Sequence, residues 1–293
     1  FIGLFVGRMV NEWRNLDEMR MLAETERIVP GVKAELILST GERVVLNQQC
    51  VSIEGVNETG IQNDSVTGLN YTTAKVQGEG MIYNTMRIPV GGFYQLALSD
   101  GSKVWLNSMT EFRFPVAFTG EERKVYLTGE AYFEVAHDTT RPFVVETEQA
   151  KVKVLGTSFD VSAYEEEGKT WTTLEEGMVE IESLDRGEKI RMVPGEQICL
   201  IEGKGMEKYK VETALFTSWR SGRLVFKDMR LEDLMRNMAR WYDVKVEFYR
   251  EEAKDIVFTG DVKKYEDLNE VLEIIELTSD VHFTIEEQRI IVH

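Results

Sequence analysis

Cysteine is nearly missing from this sequence, with two in 293 residues, Cys50 and Cys199. They lie too far apart for a metal knuckle, and a bridge or two separate buried thiols fit them equally. Histidine is almost as scarce. His137, His282 and His293 are scattered, which excludes the clustered set that a cupin-type metal site requires. Positive charge is also short: 34 Lys and Arg stand against 51 Asp and Glu, a net charge of -17. Phosphate-neutralising nucleic-acid binding and attachment to anionic lipid surfaces are both disfavoured by that balance. No run approaches the roughly 20 apolar residues of a membrane span. GxGxxG, Walker, HExxH and GxSxG patterns are absent, and with them the commonest nucleotide-binding, metalloprotease and hydrolase signatures.

What is present falls into three stretches. The opening FIGLFVG (1–7) is apolar but stops at Arg8, and the sequence starts with Phe rather than Met. This suggests a cut-out or processed piece carrying the stub of a span. Ile2, Phe5, Val6, Met9, Trp13, Leu16, Met19 and Leu22 keep to one helical face, which predicts an amphipathic helix over about 2–25, ended by VPG at 29–31. Packing on the next domain is its plainer reading, and a stalk leaving a membrane the sharper one. The first domain is therefore 1–30, a membrane-proximal helix or stalk.

From Ala34 to about Val211 the apolar period is two, as in KVYLTGEAYFEVA (124–136) and the alternating runs over 142–164 and 177–211. Turn signals recur every 8–12 residues or so, the spacing of a β-sandwich or barrel. Gly-Glu marks turns at 41–42, 120–121, 129–130, 187–188 and 195–196, and the five prolines end strand runs. One hairpin is written twice. LILSTGERVVLN (36–47) and LALSDGSKVWLN (96–107) share seven of twelve positions. In each copy two Leu before the turn and a Val and Leu after it share one face, so the copies read as equivalent corners of a duplicated β architecture. A jelly-roll-like β-sandwich over 31–215 is expected.

After Trp219 the period changes. A strand at 223–226, a helix through Leu231, Leu234, Met235 and Met238, and a strand at 244–249 are followed by the same plan. The second set is a strand at 256–262, a helix through Leu268, Val271, Leu272 and Ile275, and strands at 281–285 and 289–292. Both helices open on EDL, at 232–234 and 266–268. This predicts a β-α-β/β-α-β unit over 216–293, with one sheet and two helices. Its core would set the helical positions against Val225, Val244, Val246, Phe258, Val281 and Phe283. The fold class is mostly β plus this small α/β domain.

Chemistry is hard to find. Fifty-one carboxylates identify no particular pair, and EEE at 165–167 reads as a charged hairpin tip. His137 reads as a solvated loop histidine and His282 as surface-facing. Strand aromatics such as Trp105, Tyr126, Tyr132 and Trp171 could line a sugar-binding face, but core packing explains them more cheaply. Gly156-Thr157 reads as a bulge. A hydroxyl after a strained glycine carbonyl could also attack it in an N→O acyl shift, though no base adjoins it in sequence.

The matching text is long: IVPGVKAELILSTGERVVLN (28–47), GGFYQLALSDGSKVWLNSMTEFRFPVAF (91–118), RKVYLTGEAYFEVAHDTTRPFVVETEQAKVKVLGTSFDVSAY (123–164), TTLEEGMVEI (172–181) and MVPGEQ (192–197). It resembles the FecR family of periplasmic signal receivers and anti-sigma regulators, in its Bacteroidetes form. The unit around LEDLMRNMARWYDVKVEF looks like that family's secretin/TonB short N-terminal-like domain. The resemblance covers about residues 28–293. It implies the periplasmic part of a single-pass inner-membrane protein, not an enzyme and without cofactor or metal. It also implies an outer-membrane TonB-dependent transporter whose signalling domain docks on the C-terminal unit, and an ECF sigma factor held through a cytoplasmic segment outside this chain. Some relatives self-cleave at the Gly-Thr pair carried here as Gly156-Thr157, which makes those two the only candidates for covalent chemistry.

Strand addition at an exposed sheet edge is the simplest docking mode. The expected edges are 256–262, with Ile256, Phe258, Gly260 and Val262, and 289–292, with Arg289 and Ile291. The alternative reading is a carbohydrate-binding or carbohydrate-sensing sandwich.

Overall fold

The computed structural model describes residues 31–46, 51–55, 58–64, 68–76, 81–263 and 267–293. The helix expected over 2–25, Asn47 and Cys50 lie outside these residues.

Period-two patterning resolves into two sheets around one apolar core. The first runs, in spatial order, Arg43–Leu46, Ala34–Ile37, Tyr83–Ile88, Thr110–Pro115, Arg123–Glu134, Phe143–Glu146, Ala150–Val154, Val179–Ser183 and Lys189–Met192. In the second, Gly92–Ala97, Lys103–Leu106, the same Arg123–Glu134, Ser158–Ala163, Lys169–Glu176, Glu196–Ile201 and Gly205–Lys210 follow one another. Strand Arg123–Glu134 thus belongs to both. Lys124 and Val125 pair in the first sheet, and Gly129 to Glu134 pair in the second.

Gly129 makes this sharing possible and corrects the expectation of a turn at 129–130. It lies inside the strand with φ +98, and a Cβ there would stand 2.7 Å from the Thr110 backbone. Only glycine combines the left-handed bend with that close approach.

The repeated hairpin occupies one corner of each sheet. Ala34–Ile37 with Arg43–Leu46 lies in the first, and Gly92–Ala97 with Lys103–Leu106 in the second. The turns share their hydrogen bonds. Gly41 N–H donates to Leu38 O, and Gly101 N–H to Leu98 O, both at 2.9 Å. Gly41 and Gly101 have φ of +85 and +86. Leu36, Leu38, Leu46, Leu96, Leu98, Val104 and Leu106 enter a single core, while Val44 is half-buried against it. The copies differ at one position with consequences. Asp100, where the first copy has Thr40, receives the buried Arg123 guanidinium at 2.7 Å. Arg123 also donates to the carbonyls of Arg141 and Ala136. Such charge-assisted bonds tie the second hairpin to the shared strand.

The C-terminal part has its own core and keeps the expected helices. A short helix α1 (Ala214–Thr217) leads into it, followed by α2 (Leu231–Tyr242) and α3 (Leu268–Leu277). The matching EDL tripeptides start these two helices differently. In α2 Glu232 and Asp233 lie in the first turn, where carboxylates favour the positive helix end. In α3 Asp267 is itself the N-cap and accepts from Asn269 N–H at 3.0 Å.

The small α/β unit corrects the prediction in two respects. There are two sheets instead of one: Arg223–Arg230 with Val257–Lys263, and Lys245–Phe248, Arg289–Val292, Phe283–Glu286 in that order. Leu224 and Phe226, rather than Val225, face the core. Strand alternation leaves either parity open, and the residues flanking Val225 bury more apolar surface. The other five predicted strand positions do pack there, with Val281 buried and Val244, Val246, Phe258 and Phe283 half-buried.

Candidate functional site: a joint and a docking surface

The two cores meet at a charged joint. Arg240, near the end of α2, is 5 % exposed. Its guanidinium pairs with Glu166 at 2.8 Å and Glu167 at 2.6 Å, and stacks 3.6 Å from the Tyr164 ring. Its carbonyl accepts from Gly91 N–H at 2.8 Å. Glu165–Glu167 is the charged hairpin tip expected, a single 3-10 turn between Ser158–Ala163 and Lys169–Glu176, and two of its three carboxylates hold this arginine. The partners are 74 and 73 residues apart, so no local pattern could have matched them.

A second contact lies alongside. Trp219 donates its indole N–H to Asp160 at 3.0 Å. Burial, and then the negative charge of Glu130, holds the Asp160 carboxyl well above the ordinary aspartate range. Arg220 lies 4.0 Å from the Tyr132 ring centre and pairs with Glu134 at 3.2 Å and Glu175 at 3.6 Å. The Tyr132 phenol donates to Glu175, and burial together with that bond raises its pKa. A half-buried cation on an aromatic face, flanked by carboxylates, makes a specific contact rather than a greasy one.

The C-terminal unit also carries much of the exposed apolar surface. Tyr249, Val257, Ile274, Leu277 and Ile285 are all exposed, with Leu277 at 79 %. Ile274 and Leu277 are three residues apart on α3, opposite the Val271, Leu272 and Ile275 face that packs inward.

Strand Val257–Lys263 pairs with Arg223–Arg230, and no second strand covers the other rim of Val257–Val262 among the described residues. Among the candidates on this edge, Phe258 is half-buried and Val262 buried against the unit's core. The Phe226 ring covers Gly260, where a Cβ would meet it at 2.8 Å. Ile256 precedes the strand, and its carbonyl accepts from Leu231 N–H at 2.7 Å. Val257, Thr259 and Asp261 face outward; Thr259 accepts from Asp228 N–H and Asp261 pairs with Arg223, which leaves Val257 as the apolar side chain available to a docked strand.

The second expected edge is not one. Arg289–Val292 is the middle strand of its sheet, flanked by Lys245–Phe248 and Phe283–Glu286. Its backbone rims are occupied on both sides, so Arg289 and Ile291 cannot take part in strand addition.

Gly156 and Thr157 do not lie inside a strand. They occupy the connection from Ala150–Val154 to Ser158–Ala163, and the irregularity in pairing falls after them, at Ser158/Phe159. Val135 N–H donates to Thr157 O, and Asp138 N–H to Leu155 O, which clamps the pair. His137, exposed as expected, lies against Gly156, where a Cβ would be 2.5 Å from its Nδ1. The Thr157 hydroxyl donates to Met178 O at 3.0 Å. His282 is exposed. Cys199 is a free, buried thiol whose pKa burial raises to about 11. No group of side chains suited to a metal ion occurs among the described residues. None of their helices is long and apolar enough to cross a membrane.

Comparison with known proteins finds matches in both cores. The family model described as FecR protein matches residues 84–180, and the one described as FecR, C-terminal, matches 223–292. A crystal structure at 1.65 Å of a protein provisionally described as an anti-sigma factor, from Parabacteroides distasonis ATCC 8503, is 31% identical. The match covers 71% of this chain and 98% of that one, with a TM-score of 0.66. A second crystal structure under the same description, at 2.50 Å, matches with 31% identity over 72% of this chain and 98% of that one, also with a TM-score of 0.66. No curated protein matches the sequence significantly.

Proposed function

Because this chain belongs to the FecR family of anti-sigma factors, we propose that it is the periplasmic, receiving part of a transmembrane regulator. It takes its signal from the signalling domain of an outer-membrane TonB-dependent transporter and relays it to an ECF sigma factor. Family membership makes it a signalling regulator, and the named partners, the single inner-membrane span and the periplasmic location are our reading. A stalk (1–30), a sandwich (31–215) and a docking unit (216–293) are the parts of that reading.

The observation that carries it is the rim of Val257–Val262, which no second strand covers among the described residues, on a unit that displays Ile274 and Leu277 and is fastened to the sandwich by a buried arginine. A partner strand can extend the sheet there while side chains such as Val257 supply contacts. The test is retention of the cognate transporter's signalling domain by the 293-residue chain. Val257→Lys and Leu277→Lys should each weaken retention about tenfold or more without changing the melting temperature. No binding by the unsubstituted chain at high concentration of both proteins would refute the proposal.

We also propose that the Gly156-Thr157 bond stays intact and that the chain is not an enzyme. The Thr157 hydroxyl is committed to a backbone carbonyl, and His137 packs against Gly156. The arrangement favours a clamped connection over nucleophilic attack. Direct glycan sensing has little support, because Tyr132 is buried and half-buried Trp105, Tyr126 and Trp171 are engaged, Trp105 against the C-terminal core, Tyr126 with Tyr83 and Lys124, and Trp171 with Tyr209.

A further inference from the structure

Asp160 stands where the two cores meet. Its strand neighbours Phe159 and Val161 enter the sandwich core, so its side chain lies on the opposite face, toward the C-terminal unit. It is 3 % exposed there and accepts the Trp219 indole N–H. Strand register surrounds it with charge of its own sign. Asp160 pairs with Tyr132 on one side and Thr173 on the other, which sets Glu130 and Glu175 two places along on the same face. Glu134 lies further along the strand that carries Glu130, and Tyr164, Glu166 and Glu167 follow at the hairpin tip. The cations reach this face from the C-terminal unit and are engaged elsewhere. Arg220 pairs with Glu134 and Glu175, and Arg240 with Glu166 and Glu167. Asp160 is left with the indole and makes no ion pair among the described residues.

An ionised carboxylate in this place is costly, because burial strips its water and the neighbouring carboxylates repel it. A protonated one keeps the indole bond on one oxygen and escapes both penalties. Once the joint parts, Asp160 returns to water and to an ordinary aspartate pKa of about 3.9. We infer that the Trp219 side of the joint is a proton-operated latch, in which closure takes up a proton on Asp160 and rising pH lets the two units part with both cores still folded. Each unit has its own apolar core, and polar and charged contacts carry much of the joint, so parting is less costly than unfolding either unit.

Other titrating groups do not mimic the latch. Burial raises the pKa of Tyr132 and Tyr164, which stay neutral. The histidines titrate in the same range but contact other places, His137 against Gly156, His282 near Glu276 and His293 beside Thr284. Above the ordinary aspartate range, and up to the higher pKa of the closed state, the closed joint holds one proton more than the open one. The opening constant should therefore rise about tenfold per pH unit over that window. This goes beyond the proposed function, because the latch belongs to the chain alone and needs no partner.

Exchange of the indole N–H protons, followed by NMR on the 293-residue chain, tests it. Trp219 donates across the joint, and Trp241, buried in the C-terminal core, is the internal reference. Trp219→Phe and Trp241→Phe identify the two resonances. After correction for the intrinsic exchange rate, Trp219 protection should fall about tenfold per unit above about pH 5. Trp241 should stay at least about tenfold better protected at every pH, which shows the C-terminal unit folded while the latch opens. Asp160→Asn still accepts the indole N–H and should abolish the slope. Glu130→Gln removes a like charge but keeps an acceptor for Asn107, and should end the steep part at a lower pH. Equal protection of the two indoles, no slope in the unsubstituted chain, or the same slope in Asp160→Asn would each overturn the inference.

Discussion

Replacing Arg240 with alanine removes the side chain that pairs with Glu166 and Glu167 and covers the Tyr164 ring. Removing one partner of a buried pair costs about 3–5 kcal/mol, because the other charge is left desolvated. Here the penalty is partial. Glu167 is nearly buried, but Glu166 is half exposed and returns to water. The lost stacking on Tyr164 adds about 1 kcal/mol. The sum is about 3 kcal/mol, which for a chain of this size lowers the melting temperature by roughly 6–12 °C.

Calorimetry measures that shift, and hydrogen exchange locates it. Protection should fall first in α2 and around Gly91, whose N–H donates to the Arg240 carbonyl. Arg240→Lys retains the charge but loses the planar fork and the stacking, so it should recover only about half of the loss. A shift under about 2 °C for Arg240→Ala, or lost protection confined to the far sheet, would refute the joint as described.

Further outcomes follow from other contacts. Asp160 has a raised folded pKa, so above the ordinary aspartate range the folded state binds more protons than the unfolded one. Stability should therefore fall with rising pH, by at most about 1.4 kcal/mol per unit, until the folded pKa is passed. Asp160→Asn, which still accepts the Trp219 indole N–H, should flatten that part of the profile in urea titrations, and an unchanged slope would exclude Asp160 as its source. Gly101→Ala meets no neighbouring atom and should cost about 1 kcal/mol of backbone strain. Gly129→Ala, which combines the same strain with a clash against Thr110, should cost at least about 3 kcal/mol, and equal denaturation midpoints would refute the close approach. Intact mass of the purified chain should show no fragment boundary after Gly156, and a fragment beginning at Thr157 would overturn the proposal that the bond persists.

Short-range patterns in the sequence determined most of the layout. Alternation defined the strands, i, i+3 and i+4 spacing defined α2 and α3, and the twice-written hairpin marked two equivalent corners. These signals are legible because each is carried by residues within one element that share a period over most of its length. Tertiary structure decided the rest. Whether Val225 or its neighbours Leu224 and Phe226 turned inward depended on the facing helix, since both parities satisfy alternation. The division of the C-terminal strands into two sheets, with Arg289–Val292 in the middle of one, depended on pairing partners that a strand does not encode.

Gly129 reads as a turn glycine until Thr110 is seen against it. The joint could not be read at all, because Arg240 meets Glu166 and Glu167, and Trp219 meets Asp160, only after chain folding closes gaps of 59 to 74 residues. Charge carries no periodicity that names its distant partner, and burial alone turns an ordinary arginine into a fastening.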